Sequence, residues 1–237
     1  MTWTIVGLGL VAGALTTLTG QGGGLLLLLA LSPVVGPHAA LALTTPALLF
    51  GNAHRAFLYR REAAYGVAAR VVAGALPGAF VGGLLVSRAP GWIIHVVLVA
   101  LTLLAVARAL GKVNVRVPTW SLPIAGFVVG ALTGTAGGAG VLVAPLLLTA
   151  GLSGGAFVGT AGLVGTAMHV GRVIAYGATG LILREHAVPV VLLAGAIFVG
   201  NHAGERVRSR LSDVTTTRLE YGSLVLFVTL AASGVAR

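Results

Sequence analysis

The sequence GQGGG at residues 20–24 interrupts a long apolar run, and a related sequence, GGAG, returns at residues 137–140. Glycine inside a helix costs roughly 1 kcal/mol per residue relative to alanine, so these clusters predict breaks in the helices. Unwound backbone at membrane depth needs hydrogen-bond partners from the surrounding protein or from a water-filled cavity. Two breaks at corresponding positions of two halves therefore predict a transport site near the middle of a membrane.

The amino-acid composition is that of a membrane protein. Hydrophobic residues make up 57% of the 237 residues and charged residues only 8%, and the mean hydropathy is +1.02. A water-soluble domain carries about 25% charged residues, so the soluble class is excluded. The chain has no cysteine, which excludes disulfides and thiol chemistry. No basic region precedes the first apolar stretch, and we expect a retained first segment rather than a cleaved signal peptide.

The net charge of +10 does not indicate a nucleic-acid partner. The arginines cluster between apolar segments, where the positive-inside rule places them, and they do not follow one amphipathic face. We therefore expect the lipid bilayer as the environment of the chain, with no nucleic acid as a partner. The predicted location is the cell (inner or plasma) membrane, as a multi-pass protein.

Ten apolar segments can be read along the chain. They fall at about 3–19, 24–35, 39–57, 71–87, 92–107, 121–136, 139–151, 155–175, 187–203 and 220–236. A full membrane span needs roughly 20 apolar residues, so segments 24–35 and 139–151 are short. Together with the segments before them, they predict helical hairpins that are broken at the glycines and are either re-entrant or just crossing.

The two halves of the chain align without a gap at an offset of 117 residues. This offset pairs Gly20 with Gly137, Thr16 with Thr133, Arg55 with Arg172, Tyr59 with Tyr176, Gly78 with Gly195 and Gly83 with Gly200. Arginine and tyrosine are rare in this composition, so their agreement favours an internal duplication. The sequence predicts two homologous membrane repeats, residues 1–117 and 118–237.

Clusters of basic residues predict how the repeats are oriented. They mark three cytoplasmic loops, near residues 55–70, 108–116 and 206–218. The number of membrane crossings between the second and third clusters is even if the hairpin is re-entrant or crosses twice. Each repeat then has an odd number of crossings, so the two repeats have opposite orientations in the membrane. The fold class predicted is an all-α polytopic membrane protein with inverted repeats. Ten short segments, or about six full spans plus two re-entrant hairpins, both satisfy the charges.

The glycine clusters and the residues after them carry a resemblance to a known family. The first cluster is followed by an apolar run, Pro33 and the stretch from Ala39 to Thr45, and the second is followed by Pro145. Over nearly its whole length the chain resembles the sulfite exporter TauE/SafE family. The resemblance implies a permease for sulfur-containing or organic anions, such as sulfite, sulfoacetate or other sulfonates. Leu28 stands where the second copy has Pro145, so we expect the two hairpins to be unequal.

An anion permease needs positive potential inside the membrane. Backbone amides at the ends of broken half-helices supply it as partial charges, and glycine permits close approach. Arg172 follows His169 by three residues on one helical face, and Asn52 and Arg55 repeat that spacing; Arg172 is the favoured ligand-binding arginine. The predicted substrate-binding residues are Gly20, Gln21, Gly22, Gly23, Thr44, Thr45, Asn52, Arg55, Gly137, Gly138, Gly140, His169 and Arg172.

Each of these candidates also has a purely structural interpretation. Glycine clusters allow helices to pack closely, and an arginine at the membrane edge can snorkel to the interface, which fits Arg55 as well as a binding role does. Threonines beside the breaks can cap freed backbone groups. This alternative applies to Thr44, Thr45, Thr133 and Thr135. Candidate proton carriers are His54, His169 and His202, although a lone histidine in a helical bundle is more often a structural hydrogen-bonding group.

The acidic residues lie in or beside predicted loops, so we expect no buried carboxylate for a sodium site, no metal site and no cofactor. The HExxH motif is missing from the sequence and the serines lie at segment ends, which argues against an intramembrane protease. The predicted function is a permease, not an enzyme, that moves a small anion by alternating access. A non-transporting membrane subunit or assembly factor is the alternative, and the small size is compatible with a homodimer.

Overall fold

The computed structural model describes residues 2–19, 22–110, 112, 117–208, 210–211, 215, 219, 222–223 and 225–231. Its α-helices are α1 (Thr2–Thr19), α2 (Gly23–Val35), α3 (Pro37–Leu58), α4 (Tyr65–Val86), α5 (Gly91–Ala109), α6 (Leu122–Ala136), α7 (Val143–Thr149), α8 (Gly154–Ala178) and α9 (Ala187–Arg208). Short 3₁₀ helices lie at Thr119–Ser121, Gly138–Leu142 and Arg184–His186. The described residues contain no strand, in agreement with the predicted all-α fold.

In the described part of the chain, five helical segments are long and apolar enough to cross a membrane. They are Thr2–Thr19, Tyr65–Val86, Thr119–Ala136, Gly154–Ala178 and Arg184–Arg208. By contrast, α2 has 13 residues and α7 has seven, which is too short for a full span. The predicted segments up to 187–203 coincide with helices, and their ends agree to within a few residues. Of the last predicted segment, 220–236, residues 222–223 and 225–231 are described, and all of them are helical.

Glycines with positive φ set the ends of the helices around both glycine clusters. Gly22, with φ of 95°, precedes α2, and Gly137, with φ of 71°, ends α6 before the 3₁₀ helix Gly138–Leu142. A residue with a Cβ pays about 1–2 kcal/mol for this left-handed conformation. The chain therefore turns at these two positions because of the glycine, and a short helix follows each turn.

The short helix α2 lies inside the bundle. Its leucines at positions 25–29 and 31 are each exposed by 6% or less. A helix that is apolar on all sides is stable only when other elements surround it. Burial of α2 also brings the described part of the first glycine cluster, residues 22–24, against other helices.

Two seams of glycine join α4 to α6 and α1 to α9. The glycines of the first seam are Gly74, Gly78 and Gly82 of α4 and Gly126, Gly130 and Gly134 of α6. Those of the second seam are Gly9 and Gly13 of α1 and Gly200 and Gly204 of α9. A Cβ at any of these positions would collide with the opposite helix, mostly with its backbone. Small residues spaced four apart let helices approach this closely. In each pair the contacts advance in the same direction along both helices, so the two helices run parallel.

The helices α3 and α8 cross near the centre of the molecule. Their contacts join Gly159 to Tyr59, Gly162 to Ala56 and Gly165 to Asn52. Residue numbers rise along one helix as they fall along the other, so α3 and α8 are antiparallel. Each of them carries one buried arginine, Arg55 in α3 and Arg172 in α8.

A cavity between the two glycine clusters

A cavity of about 60 Å³ lies where the two glycine clusters meet. A Cβ built on Gly24 would lie 3.4 Å from the carbonyl oxygen of Gly137, so the two breaks are almost in contact. A buried water needs about 10–15 Å³ on this scale, so the cavity has room for several waters or one small anion. Its polar and glycine lining consists of Thr16, Gly22, Gly24, Asn52, Arg55, Thr133, Gly137, Gly138, Gly140, Gly165 and His169.

Many of the residues predicted from the sequence line this cavity. They are Gly22, Asn52, Arg55, Gly137, Gly138, Gly140 and His169. Gly20 and Gln21 lie outside the described residues. Four predicted residues do not line the cavity, namely Gly23, Thr44, Thr45 and Arg172. Gly23 instead packs against α1, where a Cβ would collide with Thr16 and Ala12.

Arg55 is buried, with 4% of its surface exposed. Its Nη2 donates to Oδ1 of Asn52 at 2.6 Å, and its Nη1 donates to the carbonyl oxygen of Thr16 at 3.3 Å. The Nε group has no hydrogen-bond partner among the described residues. A snorkelling position for Arg55 is wrong, because the side chain points into the protein. A buried, charged donor without a partner is costly, so Nε is the group left to bind a ligand.

Arg172 is fully buried and makes a closed set of contacts behind the second glycine cluster. Its Nη1 lies 3.1 Å from Nδ1 of His169, and its Nε and Nη2 each donate to the hydroxyl of Tyr176 at 3.4 Å. That hydroxyl donates to the carbonyl oxygen of Gly134 at 2.6 Å. A Cβ on Gly137 would lie only 2.8 Å from Nη2 of Arg172. Arg172, the arginine favoured from the sequence, thus supports the cavity wall, whereas Arg55 lines the cavity.

The predicted face-sharing of the polar pairs is confirmed by direct hydrogen bonds. Arg55 bonds to Asn52, and Arg172 bonds to His169, each three residues away on the same helix. Side chains at this spacing are neighbours on a helix surface. Each buried arginine therefore has a polar hydrogen-bond partner on its own helix.

The threonines beside the breaks bond to carbonyl groups of their own helices. Thr16 donates to Ala12 at 2.6 Å and Thr133 donates to Val129 at 2.7 Å. Thr135 and Thr44 make equivalent bonds. Bonds of this kind hold the hydroxyl hydrogen within the helix. Oγ1 of Thr45 has no hydrogen-bond partner among the described residues.

Several polar contacts of the core were not predicted from the sequence. Thr16 lines the cavity and is the offset partner of Thr133, which was the signal that could have identified it. Asn201 is buried and bonds to the carbonyl of Gly51, and Thr17 donates to its Oδ1. Arg208 donates from Nη1 to the carbonyl oxygens of residues 17 and 18, and so caps the end of α1. Nothing in the local sequence places these groups together.

The remaining histidines lie away from the cavity. His54 stacks on Phe198 with 3.8 Å between ring centroids, and Nδ1 of His202 lies 3.5 Å from the carboxylate of Glu205. The His202 side chain is 46% exposed, in keeping with an interfacial pair. No group of three or more histidine, cysteine or acidic side chains that could hold a metal occurs within the described part of the chain.

Comparison with known families decides the class of the protein. The family model of the sulfite exporter TauE/SafE matches residues 5–233 of the 237. The chain belongs to this family. The matched residues of this TauE/SafE member include both glycine clusters and every residue that lines the cavity. Comparisons with curated proteins and with solved structures give no match.

Membership of the TauE/SafE family identifies the chain as a membrane protein of a sulfite and anion exporter class. The five span-length helices agree with a multi-pass protein. The predicted resemblance is thereby confirmed, and the family consists of transporters rather than enzymes, as the sequence predicted.

Proposed function

We propose that this TauE/SafE member is a permease of the cell (inner or plasma) membrane. It moves a small anion, a sulfur oxyanion or an organosulfonate, through the cavity between the two glycine clusters. The observation that carries this proposal is the buried Arg55, which lines that cavity and whose Nε has no hydrogen-bond partner among the described residues. A guanidinium group binds sulfonate and carboxylate oxygens through short charge-assisted hydrogen bonds.

The charge distribution around the cavity supports an anionic substrate. Among the described residues, no carboxylate lines the cavity, so the positive charge of Arg55 is not neutralised there. Uncompensated charge in a low-dielectric region attracts counter-charge far more strongly than it does in water. The first turn of α2, whose Gly24 and Leu25 line the cavity, adds the partial positive charge of a helix N-terminus, which favours anions.

The antiparallel crossing of α3 and α8 supports inverted repeats. The offset of 117 residues makes these two helices equivalent, and their equivalent arginines are Arg55 and Arg172. Equivalent helices that run in opposite directions are what an inverted duplication produces. Alternating access then takes place about the two glycine breaks that border the cavity.

The gapless alignment of the repeats fails in the last pair of helices. The decisive contacts are Gly78 with Phe127 and Ala131, and Gly200 with Leu10 and Ala14. These partners lie 117 residues apart, but Gly200 follows Gly78 by 122 residues. The expected pairings of Gly78 with Gly195 and of Gly83 with Gly200 are therefore wrong. An insertion of five residues precedes α9, in the connection that contains the 3₁₀ helix Arg184–His186.

The test is anion binding by the purified protein, followed by flux in proteoliposomes. Sulfite, sulfoacetate and acetate are added to the wild-type protein, and a ligand that binds only the folded form raises Tm with concentration. Arg55→Ala should lose the shift and the flux, because it removes the cavity cation. Arg60→Ala is the matched control, since Arg60 is exposed and contacts Phe57.

Two results would contradict the proposal. One is a wild-type protein that neither binds nor transports any anion of the panel, which would favour a non-transporting membrane subunit. The other is an Arg55→Ala variant with the flux of the wild type, which would remove Arg55 from the binding site.

A further inference from the structure

The contact with Arg172 fixes the tautomer of His169. Nη1 of Arg172 lies 3.1 Å from Nδ1 of the ring. A guanidinium group carries only donors, so Nδ1 must accept the hydrogen bond through its lone pair. The proton of the neutral ring then lies on Nε2. The tautomer of His169 therefore follows from the single fact that arginine can donate a hydrogen bond but cannot accept one.

His169 also lines the cavity, although only 5% of its surface is exposed. The bond to Arg172 occupies the Nδ1 edge of the ring. Nε2–H is thus the ring donor left for the cavity, which Asn52 and Arg55 of α3 also line. A ligand between α3 and α8 meets one charged donor and one uncharged donor.

The surroundings of His169 oppose a positive charge on its ring. The charged groups that interact with it are Arg172 of its own helix and Arg55 of α3, both cations. The helices α2, α6 and α7 carry no titratable side chain, and Tyr176 is held by the carbonyl of Gly134. Protonation at Nδ1 would break the bond to Arg172 and place a third positive charge beside two others.

We infer that His169 recognises the transported anion as a permanently uncharged hydrogen-bond donor and does not carry a proton during transport. This inference rests on the proposed function. The anion accepts one hydrogen bond from Nε–H of Arg55 and one from Nε2–H of His169. Binding of a fully ionised anion is then independent of pH over the range in which an ordinary histidine titrates.

Two variants separate this role from proton transfer. Glutamine supplies an oxygen that accepts from Arg172 and an amide N–H that faces the cavity, and it does not titrate. His169→Gln should therefore bind sulfoacetate within about threefold of the wild type, whereas His169→Leu should bind about tenfold or more weakly. Affinity is measured between about pH 6 and 8.5, where sulfoacetate stays ionised and an ordinary histidine changes charge. His202→Gln is the control, because that side chain is exposed beside Glu205.

A second measurement reads the ring directly in the wild-type protein. Nitrogen NMR of histidine-labelled protein distinguishes protonated from unprotonated ring nitrogens, and His169→Gln assigns the signal. We expect Nδ1 without a proton and Nε2 with one, with no change over the same pH range. This measurement does not depend on transport or on correct folding of any other variant.

The outcomes are distinct for the two proposals. A ring protonated on Nδ1 at neutral pH, or a wild-type affinity that rises on acidification and is flat in His169→Gln, would overturn the role of His169 and leave the anion permease standing. If neither sulfite nor sulfoacetate binds the wild type, the proposed function fails and the role in anion recognition fails with it. The ring spectrum then still decides the tautomer.

Discussion

The two glycine breaks of this TauE/SafE member are related by sequence but are stabilised differently. At the first break, the carbonyl groups that end α1 accept from two arginines, Arg55 and Arg208. At the second, the N–H of Gly137 bonds to the carbonyl of Thr133, and Tyr176 bonds to Gly134. The last carbonyls of any helix need such partners. The first break is capped by charge, and the second by neutral groups.

This difference extends to the two arginines that the offset of 117 residues pairs. Arg55 caps α1 and keeps one donor, Nε, without a partner among the described residues. Arg172 donates hydrogen bonds to His169 and Tyr176 of its own helix. One arginine is therefore available to a ligand, and the other positions the side chains that surround it. Substitutions at the second break test that assignment.

Gly137→Ala should have the largest effect on stability. A Cβ there would meet Leu28 and Arg172 in addition to the strain of its positive φ. Strain and overpacking together predict a loss of about 2–5 kcal/mol and a large drop in Tm. Gly151→Ala is the control, because it has a φ of 79° with no atom within 4 Å of the added Cβ, and only the backbone strain applies. Equal losses in the two variants would show that the second break is not tightly packed.

Arg172→Ala should come next and should reduce both stability and anion binding. The substitution leaves Nδ1 of His169 without its donor and opens space beside Tyr176, with an expected loss of about 3 kcal/mol. Thermal melts without ligand and anion titrations measure the two effects separately. The division of functions would be reversed if Arg172→Ala abolished binding at wild-type stability while Arg55→Ala kept it.

Tyr176→Phe should have the smallest effect. It removes the hydroxyl that joins Arg172 to Gly134 but leaves the ring, which lies 5.3 Å from the guanidinium group. Loss of a buried hydrogen bond predicts a decrease of about 1–2 kcal/mol in the free energy of unfolding. Tyr65→Phe removes an exposed hydroxyl that bonds to Arg60, and its Tm should stay unchanged. A Tyr176→Phe variant as stable as the wild type would mean that the second break does not need the hydrogen bond from Tyr176.

The sequence predicted those features that depend on local pattern. Apolar runs predicted the helices, and glycine clusters predicted the turns at Gly22 and Gly137, because a positive φ favours glycine wherever it occurs. The spacing of three residues predicted the pairs Asn52–Arg55 and His169–Arg172 because helix geometry alone brings them together.

Features that depend on distant contacts could not be predicted in this way. Gly22 and Gly23 are neighbours in sequence, yet the first lines the cavity and the second packs against α1. Which N–H groups of Arg55 have a hydrogen-bond partner depends on which carbonyl groups of α1 lie near it. The five-residue insertion before α9 was hidden because small residues match each other at several offsets. Only the partner helix distinguishes one offset from another.

The glycine seams also determine which parts of the protein can travel together. They join α1 of the first half to α9 of the second, and α4 of the first half to α6 of the second. A motion that keeps both seams closed must carry helices of both halves in each moving body. The two moving bodies therefore do not coincide with the two halves of the sequence. A chain cut between α5 and α6 should regain its fold only when both fragments are present.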